Sequence, residues 1–302
     1  MNCDCAFRIG KGHEVCQDYA YATIDPFPYI IISDGCSSSV DTDYGARVLT
    51  SAARHVLKIN HALDNPNFFP TIAAIAESHR QDLFLPREAF DCTLMVAAVR
   101  PVNPKMVEIT VMGDGVVVIK NKMGEVCVYS IEYTTGYPSY LSYLLDDDRL
   151  QSWEKRMCYD TGDALDSIVV RTYVRSINNQ WNDDIFAHFG NTLTLKVKEV
   201  ASYISRLSHQ FHTTTCPWTI DQLEYVVLMS DGIRSFSKVT QEETGTHKES
   251  LSLTKVLDNL LDFKGFNGVF AHRRLNKFLK DMEKENCEHF DDISLAVMSF
   301  VE

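Results

Sequence analysis

The 302-residue sequence contains no run of about 18 apolar residues, so it offers no segment able to cross a bilayer as a helix. Its opening residues, Met1-Asn2-Cys3-Asp4-Cys5, lack the basic and apolar regions of a signal peptide, and the expectation is a cytoplasmic protein with no membrane partner. Positive charge is also scarce. Lys and Arg number 29 against 41 Asp and Glu, a net charge of −12, which argues against nucleic acid as a partner because a phosphate backbone demands a basic face. No linker rich in Gly, Ser or Pro divides the chain, so one domain over residues 1–302 is expected. The nine cysteines include no CxxC pair and no second cluster to complete a zinc site, and they read as reduced thiols. A nucleophilic Cys or Ser motif is missing too. Cys16 and Cys36 adjoin acidic residues, where a thiolate makes a poor nucleophile.

What the sequence does have is apolar residues, 45% of the total, and these suffice for a packed core. Three apolar runs stop at Asp-Gly: Ile30-Ile31-Ile32-Ser33-Asp34-Gly35, Val111-Met112-Gly113-Asp114-Gly115 and Val226-Val227-Leu228-Met229-Ser230-Asp231-Gly232. Short β-branched runs of this kind read as buried strands, and a carboxylate at a strand end beside a glycine suits cation binding.

Around these runs the pattern alternates between strand and helix signals. Strands are expected at 5–9, 19–24 and 29–33, pairing antiparallel, followed by helices at about 43–59 and 71–84. Segments 93–99, 106–112, 116–120 and 126–131 read as a β-meander. Residues from about 134 to 221 are irregular and read as an insertion or flap. Within it, the Tyr137 to Leu144 stretch fits either a substrate-contacting flap or packing, and Asp146-Asp147-Asp148 fits a solvated turn or helix end. Two amphipathic stretches, 251–261 and 269–282, precede a last strand at 293–300. The fold class expected is α+β, a four-layer α-β-β-α sandwich of two antiparallel sheets flanked by helices.

Asp18, just before a strand, and Asp291, just before the last one, bring the strand-end carboxylates to five. Two carboxylates about 4 Å apart repel by roughly 4 kcal/mol at an effective dielectric near 20, so a converging cluster needs protons or metal ions. Oxygen-only ligands suit magnesium or manganese, and the histidines show no ligand spacing that would favour zinc.

The ordered set Gln17-Asp18, Ser33-Asp34-Gly35, Gly113-Asp114-Gly115, Ser230-Asp231-Gly232 and Asp291-Asp292-Ile293-Ser294 resembles the metal-dependent (PPM, type 2C) Ser/Thr protein phosphatases. The resemblance is to their bacterial branch, with Ser37-Ser38-Ser39 and Gly45-Ala46-Arg47 after the first Asp-Gly. It implies two Mn2+ or Mg2+ ions held by Asp18, Asp34, the Gly35 carbonyl, Asp231 and Asp291, with Asp34 bridging. Asp114 matches the position linked to a third, more weakly held ion. Asp292 and Thr93 are implied as supports behind the ligands. Where many relatives carry a phosphate-holding arginine this chain has His13, with Lys11 nearby, and Cys36 stands where some carry a proton-donating histidine.

The implied activity is hydrolysis of phosphoserine and phosphothreonine by a water held between the two metals, without a covalent phospho-enzyme. A phosphorylated protein is the implied substrate, and a Ser/Thr kinase the opposing enzyme. Two alternatives remain: a catalytically weak or inactive phosphatase-like binding module, and a phosphatase acting on a small phosphoester.

Overall fold

The computed structural model describes residues 1–60, 63, 67–99, 105–161, 168–178, 180–183, 214–242 and 245–301. In chain order the elements begin with β1 (Asn2–Arg8), β2 (Tyr19–Thr23), β3 (Tyr29–Ser33), α1 (Thr42–Asn60) and α2 (Phe68–Leu83). Strands β4 (Leu94–Val99), β5 (Met106–Met112), β6 (Gly115–Asn121) and β7 (Val126–Tyr133) follow, then α3 (Asp147–Thr161), β8 (Ile168–Arg175) and β9 (Trp181–Asp183). The last third holds β10 (Thr214–Thr219), β11 (Leu223–Met229), β12 (Phe236–Glu242), β13 (Gly245–Ser250), α4 (Leu253–Leu260), α5 (Phe270–Lys284), β14 (Cys287–His289) and β15 (Ile293–Ser299).

These strands build a seven-stranded antiparallel sheet, β1-β15-β11-β6-β7-β8-β9, and a five-stranded one, β10-β5-β4-β3-β2. The sheets lie face to face, with β15 and β11 over β2, β3 and β4. Helices α1 and α2 cover the five-stranded sheet; α4 and α5 cover the seven-stranded one. The sandwich expected from the sequence is therefore the one found. Its central strands are apolar at nearly every position because both faces are buried. In β11, Val226 and Leu228 join the core between the sheets, whereas Tyr225, Val227 and Met229 pack under α4 and α5. In β15, Ala296 and Met298 point inward and Leu295 and Val297 outward.

Two pairings differ from the sequence reading. The first strand does not pair with β2; it crosses to the other sheet and runs antiparallel to β15 over its whole length, Asn2 opposite Ser299 and Arg8 opposite Ile293. Nor do β4 to β7 form one meander. β4 and β5 pair in the five-stranded sheet and β6 and β7 in the seven-stranded one. The break falls at Gly113 and Gly115, whose φ values of +94° and +140° bend the chain from one layer to the other, and Asp114 sits at the crossing. A small third sheet, β13-β12-β14, had no apolar run to announce it.

Within the segment expected as an insertion, α3, β8, β9 and β10 are described, while residues 162–167, 179 and 184–213 lie outside the described residues. Asp146 accepts a hydrogen bond from the Arg149 N–H at 3.1 Å and so starts α3, in keeping with the helix-end reading of the acidic run. Tyr140, Leu141 and Tyr143 are buried against the core, and Tyr143 stacks 5.7 Å from Trp153, so packing accounts for most of the Tyr-rich stretch. Asp91, itself buried, holds this segment down. It accepts hydrogen bonds from Ser142 at 2.6 Å, from Arg149 at 2.9 and 2.8 Å, and from Ser39, in the loop after Asp34, at 2.7 Å.

Candidate metal centre and active site

Strand register brings the acidic residues to one end of the sandwich. In the five-stranded sheet Tyr19 pairs with Ser33, so Asp18 and Asp34, one residue beyond each, emerge side by side. In the seven-stranded sheet Met229 lies opposite both Leu295 and Val116. Asp231, the Asp291-Asp292 pair and Asp114 consequently leave that sheet at a common edge. The two edges meet where Ser230 Oγ donates to Asp18 Oδ2 at 2.7 Å.

The convergence shows in the carboxyl groups themselves. Burial raises Asp18 to about 7, against the hydrogen bonds from Ser230 and Asp34 that favour its ionised form. Burial first, then the charges of Asp18, Asp231 and Asp291, push Asp34 well above the ordinary carboxylate range. Asp114 rises to about 7, through burial and the charge of Asp231, and Asp291 is raised for the same two reasons. Asp18 Oδ1 is buried without a hydrogen-bond partner in the fold. Two touching carboxyls can hydrogen-bond only when one carries a proton, so ionised Asp18 presents an acceptor with no donor.

Behind these groups lies a supporting layer. Thr93 grips the Asp34 backbone from both sides, its N–H donating to the Asp34 carbonyl at 2.8 Å and its hydroxyl accepting from the Asp34 N–H at 3.2 Å. Asp292 is buried and faces inward; it accepts from the Gly10 N–H at 2.7 Å and the Gln17 N–H at 2.6 Å, anchoring the loop that carries Asp18. His13 lies 3.1 Å from Asp292 and 3.6 Å from Asp291, wedged between the two carboxylates. Lys11 pairs with Glu288 and borders the cavity beside α5.

Sequence reasoning overlooked Arg234. It closes the 3-10 turn 231–234, and the three-residue spacing swings its guanidinium back to 3.5 Å from Asp231 and 3.8 Å from Asp114. The other side of the guanidinium holds Glu132 at 3.1 Å and Ser130 at 3.3 Å, both on β7. An arginine three residues after a proposed ligand, in a constellation otherwise acidic, was the available signal. At about 4 Å and an effective dielectric near 20, one such contact amounts to about 4 kcal/mol of attraction before desolvation.

A family model for protein phosphatase 2C matches residues 9–280. The chain belongs to the protein phosphatase 2C family. A bacterial serine phosphatase has a similar solved structure, at TM-score 0.50 and 10% identity, with 100% of this chain and 98% of that chain covered. An arginine-to-lysine variant of a bacterial serine phosphatase gives TM-score 0.52 and 11% identity over 100% of this chain and 98% of that one. At such identity these likenesses concern the fold. No curated protein matches the sequence.

For this phosphatase 2C chain the donor chemistry suits hard divalent ions: carboxylate oxygens, one of them buried and unpartnered, and no thiolate or imidazole set. Among the described residues no three Asp, Glu, His or Cys side chains are grouped so that they could hold a metal ion as they stand. Cys16, near Asp18, is pushed up to about 12 by burial and by the charges of Asp292 and Asp18, which makes it a weak nucleophile at neutral pH.

Proposed function

We propose that this phosphatase 2C chain hydrolyses phosphoserine and phosphothreonine in proteins, with Asp18, Asp34, the Gly35 carbonyl, Asp231 and Asp291 holding two Mn2+ or Mg2+ ions. The observation that carries the reading is the set of carboxyls meeting at one end of the sandwich, with Asp18 and Asp34 both raised by burial and Asp34 further by the charge of Asp18. Two divalent ions there would supply Lewis acidity for activating water and for neutralising phosphoryl oxygens.

The protein's part is to position and to compensate charge. Water attacks phosphorus, the bond from phosphorus to the Ser or Thr oxygen breaks, and the alcohol leaves with a proton while inorganic phosphate remains. Thr93 fixes the Asp34 backbone, and Ser230 and Asp292 fix Asp18 and the loop before it. His13 stands near Asp291 as the candidate group for the substrate phosphate, whereas Lys11 is engaged with Glu288.

The test is release of phosphate from a phosphopeptide with manganese added. Asp34→Ala should lower turnover by roughly a hundredfold or more, and chelation should abolish it; undiminished activity after either treatment would end the two-metal reading. A second reading, a phosphatase-like binding module, is favoured by the guanidinium of Arg234 lying against two of the acidic residues. It predicts phosphopeptide binding without turnover in the same assay.

A further inference from the structure

We infer that Arg234 is a resident cation that takes the corner at Asp114, so that the chain carries two divalent ions and leaves no place for a third. The inference rests on the metal-dependent reading above and concerns how this chain departs from it.

The geometry is specific. Asp114 enters at the crossing between the sheets, where Gly113 and Gly115 with their positive φ hold its position. Among the described residues its one ion-pair partner is Arg234, at 3.8 Å from Oδ2. The same nitrogen, Nη2, reaches Asp231 Oδ2 at 3.5 Å, so one guanidinium supplies positive charge to both carboxylates, where a further ion held by Asp114 would otherwise supply it. The guanidinium engages one oxygen of Asp231, Oδ2.

The arginine is also held from behind. Nη1 pairs with Glu132 at 3.1 Å and contacts Ser130 Oγ at 3.3 Å. Glu132 in turn accepts from Arg171 at 3.4 Å and from Ser130 at 3.0 Å. Swinging Arg234 away would strip a carboxylate on β7 of a partner as well as the two aspartates, and the side chain has only 22% exposure through which to find water instead. A guanidinium keeps its charge at every working pH, so this positive charge cannot be chelated or diluted away, whereas a weakly held ion can.

Manganese stoichiometry, counted by equilibrium dialysis with electron paramagnetic resonance, tests this without reference to activity. The wild-type chain should bind about two ions at saturation, and Arg234→Gln about one more. Arg234→Lys, which keeps a cation, should stay near two. Asp114→Asn should also stay near two, because Asp114 holds no ion in the wild type; this variant leaves Arg234 in place and serves if Arg234→Gln fails to fold. An unchanged count in folded Arg234→Gln, or a lost ion in Asp114→Asn, overturns the inference while leaving the two-metal reading standing. Absence of manganese from the wild-type chain at any concentration removes that reading and this inference together.

Discussion

Ser230 Oγ donates a 2.7 Å hydrogen bond to Asp18 Oδ2, joining residues 212 positions apart and locking the edge of one sheet to the edge of the other. The same oxygen accepts from the Ser294 N–H at 2.8 Å, so one hydroxyl ties the ends of β11 and β15 to the start of β2. No backbone hydrogen bond could replace it, because strands in different sheets do not share a ladder.

Ser230→Ala removes this tie. Asp18 then loses its fixed donor and the Ser294 N–H its hydroxyl acceptor, both in a buried place, which should destabilise the fold by about 1–3 kcal/mol. Manganese affinity should fall by roughly tenfold because Asp18 is no longer oriented. Urea unfolding and manganese titration measure the two effects. A variant as stable as wild type, with unaltered affinity, would show that the hydroxyl contributes nothing.

The pH dependence of the chelator-treated protein follows from the raised carboxyls. A carboxylic acid that binds its proton more tightly when folded than when unfolded lowers stability as pH rises between the two values, since the folded state holds more protons. With Asp18 and Asp114 at about 7 and Asp34 also raised, this contribution is absent below about pH 4. It should grow between about pH 4 and 7 and level off above. Thermal melting of Asp18→Asn should show a smaller decline over that interval than wild type. Equal slopes would mean that Asp18 is not raised by burial.

Gly232→Ala should fail on steric grounds. A Cβ there would lie 1.8 Å from the Asp292 carbonyl oxygen, a backbone atom that cannot move aside without shifting β15. The expected loss is about 3 kcal/mol, at the upper end of ordinary overpacking, with weaker manganese binding because Asp231 and Asp291 flank the displaced contact. Calorimetry decides it; a melting temperature equal to wild type would contradict the close approach.

Asp91→Ala should be among the more damaging changes outside the carboxylate cluster itself. Arg149 would be left half-buried without its paired carboxylate, and Ser39 and Ser142 would lose their acceptor, for a loss of about 3–5 kcal/mol. Because Ser39 lies in the loop following Asp34, limited proteolysis should show new cleavage both in that loop and around α3. Cleavage confined to α3 would show that the two are not coupled through Asp91.

Much of this chain was legible from its residues. Runs such as Ile30-Ile31-Ile32 and Val226-Val227-Leu228 are apolar at every position because strands covered on both faces need two apolar sides, and that is a local property. The helices over Thr42–Asn60 and Phe270–Lys284 followed from periodicity, with ends that moved by a few residues. The strand-end positions of Asp18, Asp34, Asp114, Asp231 and Asp291 were also local, since Asp-Gly or a lone Asp beside an apolar run marks where a strand stops.

Tertiary structure alone decided the rest. Which sheet β1 joins depends on Asn2 meeting Ser299 across the whole chain, and no local pattern carries that choice. The transfer of the chain between layers at Asp114 depends on both sheets requiring cover, and the backbone freedom of Gly113 and Gly115 only permits it. Arg234 reads in sequence as an ordinary turn residue. Its place between Asp231 and Asp114, with Glu132 behind it, exists because β11 pairs with β6 and β6 with β7, so Asp114 and Glu132, both distant in sequence, join nearby Asp231 on one guanidinium. The sequence by itself determined the chemistry at the strand ends, through short-range preferences for strand, turn and charge. The fold decided which of those ends meet, because burying both faces of two sheets is a property of the whole chain.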